Sequence, residues 1–489
     1  MAPRRVAIGA LTLVVLAGCA GRSDRPRITT TSSAITTTTG TVAPTTSPPT
    51  TSTLDPNSVG AAGLGDPYFP TLGNGGYDVE HYSIALAVDP DIGTITEAEA
   101  TITAVATMDL GAFNLDFSDL DIGSVSVDGL VAQWEWADDE LTVRPTSMIP
   151  SGEDFSVTVA YRGTPEPVSV PSVGVSAGWI VTADGVFVAA EPDAAHTWFP
   201  ANDHPADKAT FTIVVTVPDG WVVASNGTLV GEATADSMTT FTWDMERPMA
   251  TYLATIAIGE YRRIEFPGVD GVVRRDYVPV DLADDPPQSL VRTGEMIELF
   301  SEWFGPYPFT EYGHVVVSGF SGALETQTMT VVDRSALDPQ IVAHELAHMW
   351  FGDDVSVADW SEIWLNEGFA TFAELLWIEH DRGRDAMEAT AAAMYQTMVG
   401  YVHRPITDPT VAELFAAPVY LQAGLALHAL RGEVGDDVMR TILHTYAARF
   451  AGSNVTTEDF LAVATEVAGI DVTEFLEPWL SSVEIPELP

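Results

Sequence analysis

The chain has 489 residues, 46% of them hydrophobic and twelve of them tryptophan, which is enough for about two or three domains with sizeable cores. Its formal charge is −48, and Lys208 is its only lysine. That balance excludes the basic footprint of a nucleic-acid-binding protein and electrostatic docking onto anionic lipid.

In chain order, Arg4 and Arg5 precede an apolar run over residues 6–17. This is the layout of a secretory signal peptide, and the run is too short to span a bilayer. Leu16-Ala17-Gly18-Cys19 resembles a bacterial lipoprotein box. Residues 1–19 are therefore expected to be a lipoprotein-type signal peptide, with Cys19 lipidated at the mature N-terminus; an ordinary cleaved signal is the alternative. The expected place is outside the cytoplasm, on the outer face of the cell membrane or secreted. Cys19 is the only cysteine, so no intramolecular disulfide can form. Residues 20–64 are expected to be a disordered linker, because residues 29–56 are almost all Thr, Ser, Pro and Ala and offer little to bury.

Residues 65–267 read as an N-terminal antiparallel β domain. Apolar and polar residues alternate over 82–88, 100–106, 155–161 and 211–217, and Asp128-Gly129, Asp184-Gly185, Asp219-Gly220 and Asn226-Gly227 mark turns. Residues 268–489 change character. The patterning predicts a helix over 289–304, strands at 315–317 and 329–332, and helices over 339–351, 362–380, 384–399, 419–434, 436–449 and 457–468. The fold class is α+β.

His344-Glu345-Leu346-Ala347-His348 carries the chemistry. Asp338 can cap a helix whose first position is Pro339, and Gly352 can end it. Histidines four apart share one helix face, which is how two imidazoles reach one zinc ion. Glu367 lies in the apolar segment 364–370, where a buried carboxylate needs a partner or a metal. His344, His348 and Glu367 are thus the expected ligands of one Zn2+ per chain. The open fourth position marks a catalytic site rather than a structural one. Glu345, between the histidines, is the expected general base.

These motifs, with others in order, resemble the aminopeptidase N family of gluzincin zinc peptidases. The resemblance runs from residue 73 to residue 480. Glu191-Pro192-Asp193, Trp198-Phe199-Pro200, Asp203-His204-Pro205 and Lys208-Ala209-Thr210-Phe211 look like its β-domain signature. Gly322-Ala323-Leu324-Glu325-Thr326 stands where the family usually has Gly-Ala-Met-Glu-Asn. The resemblance implies a thermolysin-like catalytic domain after the β domain. It implies that Tyr420 stabilises an oxyanion, and that Glu191 and Glu325, with Gly322 and Ala323 beside them, bind a substrate's free N-terminus. Leu324 and Thr326 depart from the motif, as do Gln422 and Ala423 where many members have Lys-Gly. The chain ends at Pro489, close to where the family's catalytic domain ends, so no large C-terminal helical domain is expected and the cleft should be more open. The expected function is a zinc aminopeptidase acting on extracytoplasmic peptides with a free N-terminus. A zinc endopeptidase or another zinc hydrolase on this scaffold is the alternative.

Overall fold

The computed structural model describes residues 58–118 and 120–488. The expected signal peptide, Cys19 and nearly all of the linker lie outside the described residues. The end of the expected linker does not: residues 58–64 are part of the fold. Gly60 N–H donates to the Ala112 carbonyl at 3.0 Å, and Gly111 N–H to that of Ser58 at 2.6 Å. Gly60-Ala61-Ala62-Gly63 has a linker-like composition, but here small residues serve close packing. A Cβ on Gly60 would lie 2.3 Å from the Gly75 carbonyl oxygen.

The first half is built on an eight-stranded sheet. Its centre is the hairpin of Tyr77–Asp89 and Thr94–Ala106. Strand Asp154–Gly163 extends it on one side. Ala209–Pro218 extends it on the other and is the parallel exception in an antiparallel ladder. Alternation sends Phe211, Ile213, Val215 and Val217 into the core and their neighbours outward. A second, five-stranded sheet contains Gly185–Ala189, whose end delivers Glu191.

The second half has a mixed five-stranded sheet in the order Tyr261–Val269, Val272–Pro279, Glu311–Val317, Met329–Asp333, Ala323–Leu324. Since Tyr261–Val269 belongs to this sheet, the structural boundary lies before Tyr261, ahead of the expected division at 267/268. The strand's own alternation gives no sign of which sheet it joins. Helices Pro339–Ala347 and Trp364–Arg382 pack together beside this sheet, and Trp364–Arg382 also packs on Arg384–Met398 and Ala423–Val434.

Three helices differ from expectation. The one expected over 289–304 is divided at Arg292 into Gln288–Val291 and Thr293–Phe304. The one expected over 339–351 ends at Ala347, because the next amides reach only three residues back: Met349 N–H donates to the Leu346 carbonyl and Trp350 N–H to that of Ala347; beyond them Asp353 N–H donates to His348, Asp354 to Met349 and Val355 to Trp350. The one expected over 419–434 opens with a π turn, Pro418–Gln422, before Ala423–Val434. A last helix, Val472–Ser481, is masked in the sequence by Pro478 inside it. No large helical domain follows among the described residues.

One continuous apolar core runs through both halves. Polar contacts join them as well. Asn226 Nδ2 donates to the Gln327 carbonyl at 2.8 Å, and Gly227 N–H donates to Thr328 Oγ1 at 2.7 Å. Asn226-Gly227 is thus a corner where the chain changes sheets and touches the catalytic half.

Candidate metal centre and active site

Asp338 caps the first ligand helix through Gln340 N–H, with Pro339 at its start. One helical turn brings the imidazoles of His344 and His348 to 4.8 Å between ring centres. Glu367 enters from helix Trp364–Arg382, with its Oε2 3.1 Å from Nε2 of His344 and 3.6 Å from Nε2 of His348. The three donor atoms lie within 4.8 Å of one another, and all three residues are buried. Among the described residues this is the one such group found.

The outward ring nitrogens are held too. His344 Nδ1 donates to Glu374 Oε1 at 2.9 Å, and His348 Nδ1 donates to the Phe351 carbonyl at 3.1 Å. These bonds leave both Nε2 atoms as lone-pair donors facing Glu367, as a metal ligand requires. Sequence reasoning missed Glu374. Its signal was the spacing of seven from Glu367, which puts both carboxylates on one helix face.

Charge supports the same assignment. Burial disfavours a charged imidazole, yet hydrogen bonds from His344 to the carboxylates of Glu367 and Glu374 raise it well above the ordinary histidine value, so a proton on Nε2 takes the place that a metal ion would fill. The pocket therefore draws positive charge to its centre, and two imidazoles with a carboxylate form a borderline donor set that suits zinc. The residues present fit the metal.

The other expected residues gather around this centre. Glu345 is buried on the ligand helix; burial raises its carboxyl to about 8, His344 and His348 oppose the rise, and Glu325 and Glu367 add to it. Tyr420 sits in the π turn with its ring stacked on His344, 5.9 Å between centres and 24° between planes. Such wide turns are frequent at functional sites. Burial, and then the charge of Glu367, hold its hydroxyl well above the usual tyrosine range, so it stays a proton donor. Glu325 follows the edge strand Ala323–Leu324, which pairs on one side with Met329–Asp333. Gly322 precedes that strand, and its carbonyl accepts from Asp333 N–H at 2.8 Å. Glu191 comes from the first domain. Glu191 Oε1 and Glu325 Oε1 are both buried without a hydrogen-bond partner. Burial first, then the charges of Glu325, Glu367 and Glu345, raise Glu191, which places it electrically at the same centre. Seven of the expected site residues thus lie within mutual electrostatic reach of one centre: His344, Glu345, His348, Glu367, Tyr420, Glu191 and Glu325.

Comparison with known proteins agrees with this geometry. The Peptidase M1 N-terminal domain matches residues 78–253, and the Peptidase family M1 domain matches residues 289–479. The crystal structure of an M1 zinc metallopeptidase from Deinococcus radiodurans is 33% identical, with a TM-score of 0.82, covering 87% of this chain and 99% of that one. A two-domain M1 zinc metallopeptidase mutant bound to L-tryptophan gives the same values. Aminopeptidase M1 of Arabidopsis thaliana is 29% identical over 324 residues, 60% of this chain and 36% of its own length. Leucyl aminopeptidase of Saccharolobus solfataricus is 27% identical over 330 residues, 62% of this chain and 42% of its own. The chain thus spans well under half the length of these two relatives.

Proposed function

The chain belongs to peptidase family M1, and from that premise we propose that it is a zinc-dependent aminopeptidase, removing the first residue of peptides with a free N-terminus. The observation that carries this reading is the pair Glu191 and Glu325, each with a buried, unpartnered carboxylate oxygen beside the triad. An α-ammonium satisfies both, and charge-assisted bonds of this kind are strong.

His344, His348 and Glu367 would hold the zinc ion, which supplies Lewis acidity and acidifies water when bound. With a dication held by the triad, the burial that raises Glu345 is offset and its carboxylate stays ionised, so that Glu345 accepts the proton of the attacking water and delivers it to the departing amine nitrogen. Tyr420 O–H donates to the carbonyl oxygen as negative charge grows there. The edge strand Ala323–Leu324, with Gly322 before it, offers its open side to the peptide backbone as an added strand. Glu191 and Glu325 fix the ammonium and so set which bond is cut.

The test is a panel of aminoacyl-anilides beside N-acetylated peptides, with and without a chelator. Chelator-sensitive hydrolysis of the free-amine substrates alone is expected. Internal cleavage of N-acetylated peptides at a comparable rate would overturn the aminopeptidase reading in favour of an endopeptidase.

We also propose that the protein is a lipoprotein acting outside the cytoplasm, on the strength of Leu16-Ala17-Gly18-Cys19 after an apolar run. In a bacterial host, labelled fatty acid should enter the wild-type chain and not Cys19→Ala. Equal labelling of both would sink the anchor.

A further inference from the structure

Lys208 stands at the start of strand Ala209–Pro218 in the first domain, yet its side chain ends in the second. Its Nζ donates to the Asp353 carbonyl at 2.7 Å and to the Asp354 carbonyl at 2.9 Å. Those carbonyls belong to the turn that folds back under His348. In the same turn the Phe351 carbonyl accepts from His348 Nδ1 at 3.1 Å, and Asp353 N–H donates to the His348 carbonyl at 2.9 Å. Gly352 completes it with a φ of 137°; a Cβ there would lie 3.1 Å from His348 Nδ1. The turn is pressed against the imidazole, so a shift of the turn moves the ring.

We propose that Lys208 is a positioning residue for His348: its ammonium, reaching across the domain boundary, clamps the turn that orients the second histidine ligand. Three features support this. Arg247, also from the first domain, donates to Asp354 Oδ1 at 2.8 Å, so a second cation grips the same turn. Burial lowers Lys208 to about 8, against the pull of Asp354 and Asp353, so keeping a charge there costs free energy that a neutral residue would avoid. And the 21 basic residues of this chain include a single lysine, at this position. A compact ammonium can share its protons between two adjacent carbonyls, whereas a planar guanidinium is shaped for carboxylate and phosphate.

The inference rests on the zinc reading of the triad. The experiment loads wild type, K208M and K208R with zinc and follows release to a chromogenic chelator, with thermal unfolding and steady-state kinetics alongside. A loosened ligand support should speed zinc release roughly 10- to 100-fold in K208M, and measurably in K208R. The loaded variants should lose kcat while KM for aminoacyl-anilides stays near wild type, since Glu191 and Glu325 are untouched. Release within twofold of wild type in a folded K208M overturns the proposal. Should K208M fail to fold, K208R decides: faster release supports the clamp, and wild-type release leaves Lys208 only a structural part and overturns it. Wild-type protein that takes up no zinc would overturn the triad reading and this inference together, which separates the two failures.

Discussion

Glu374 Oε1 accepts a hydrogen bond from His344 Nδ1 at 2.9 Å, so helix Trp364–Arg382 supplies one candidate metal ligand, Glu367, and also steadies another. Removing that support should weaken the metal and leave the fold alone, because Glu374 is half-buried at the helix surface. Glu374→Ala should bind zinc about 10- to 100-fold more weakly, read by chelator competition, with wild-type unfolding of the metal-free protein. Unchanged affinity would remove Glu374 from the site.

Glu345 and Tyr420 should separate in their effects. Glu345→Gln keeps the shape and the metal and loses the base, so kcat should fall by at least about 10²- to 10⁴-fold with zinc content unchanged by elemental analysis. Tyr420→Phe keeps the ring stacked on His344 and loses one oxyanion donor, a loss of about 10²- to 10³-fold in kcat with KM nearly constant. Full turnover in either variant would strip that residue of its role.

Thr328 is a β-branched residue with a φ of 66°, in the left-handed region that disfavours it. Its Oγ1 accepts from Gly227 N–H across the domain boundary at 2.7 Å, which pins the segment ending the Glu325 loop. Thr328→Ala loses the bond and keeps the backbone cost, so it should destabilise by about 1–3 kcal/mol. Thr328→Gly loses the same bond and relieves the backbone, and should be the more stable of the two by roughly 1 kcal/mol. Urea unfolding of both variants checks the order; Ala above Gly would contradict it.

His196 sets a pH dependence in the first domain. Burial would lower it, but Asp203, 2.8 Å from its Nδ1, with Asp116 and Asp193 nearby, raises it from 6.5 to about 9. A raised value means that the folded state holds the proton more tightly. The contribution is complete below 6.5 and is lost as pH climbs through about 9. The linkage is on the order of 3 kcal/mol. Asp193, raised to about 6 chiefly by burial, acts with the same sign in a lower window. The urea midpoint should therefore fall from neutral pH toward pH 9, and His196→Gln should flatten that slope. A midpoint that rises with pH in the wild type would contradict the assignment.

The metal half of the site was legible because ligand spacing is local: two histidines one turn apart and an acid in an apolar segment need no tertiary information. Glu191 and Glu325 were legible only through a family resemblance, since 134 residues and a domain boundary separate them and no periodicity links a turn acid to a strand-edge acid. Lys208 reads in the sequence only as part of a family motif and Asn226 only as part of a turn, and neither reveals its contact across the domain boundary. Their partners are backbone carbonyls, of Asp353, Asp354 and Gln327, and a carbonyl has no residue type to recognise. Tyr261–Val269 shows the same blindness for sheets: alternation identifies a strand, and pairing alone says which sheet it extends.

Glu191 comes from one domain and Glu325 from the other, and this divides the protein's competence unevenly along its synthesis. A chain carried only as far as the first domain holds neither histidine ligand and is chemically inert. A fragment consisting of the second half alone would keep all three metal ligands, Glu345 and Tyr420, yet have half of its measure of where a peptide begins. Proteolytic separation of the two halves would remove Glu191 and, on the role proposed for Lys208, would loosen the hold on the second histidine at the same time. The shared core and the Asn226 and Lys208 contacts across the boundary act as the safeguard that keeps cutting power and restraint in one body.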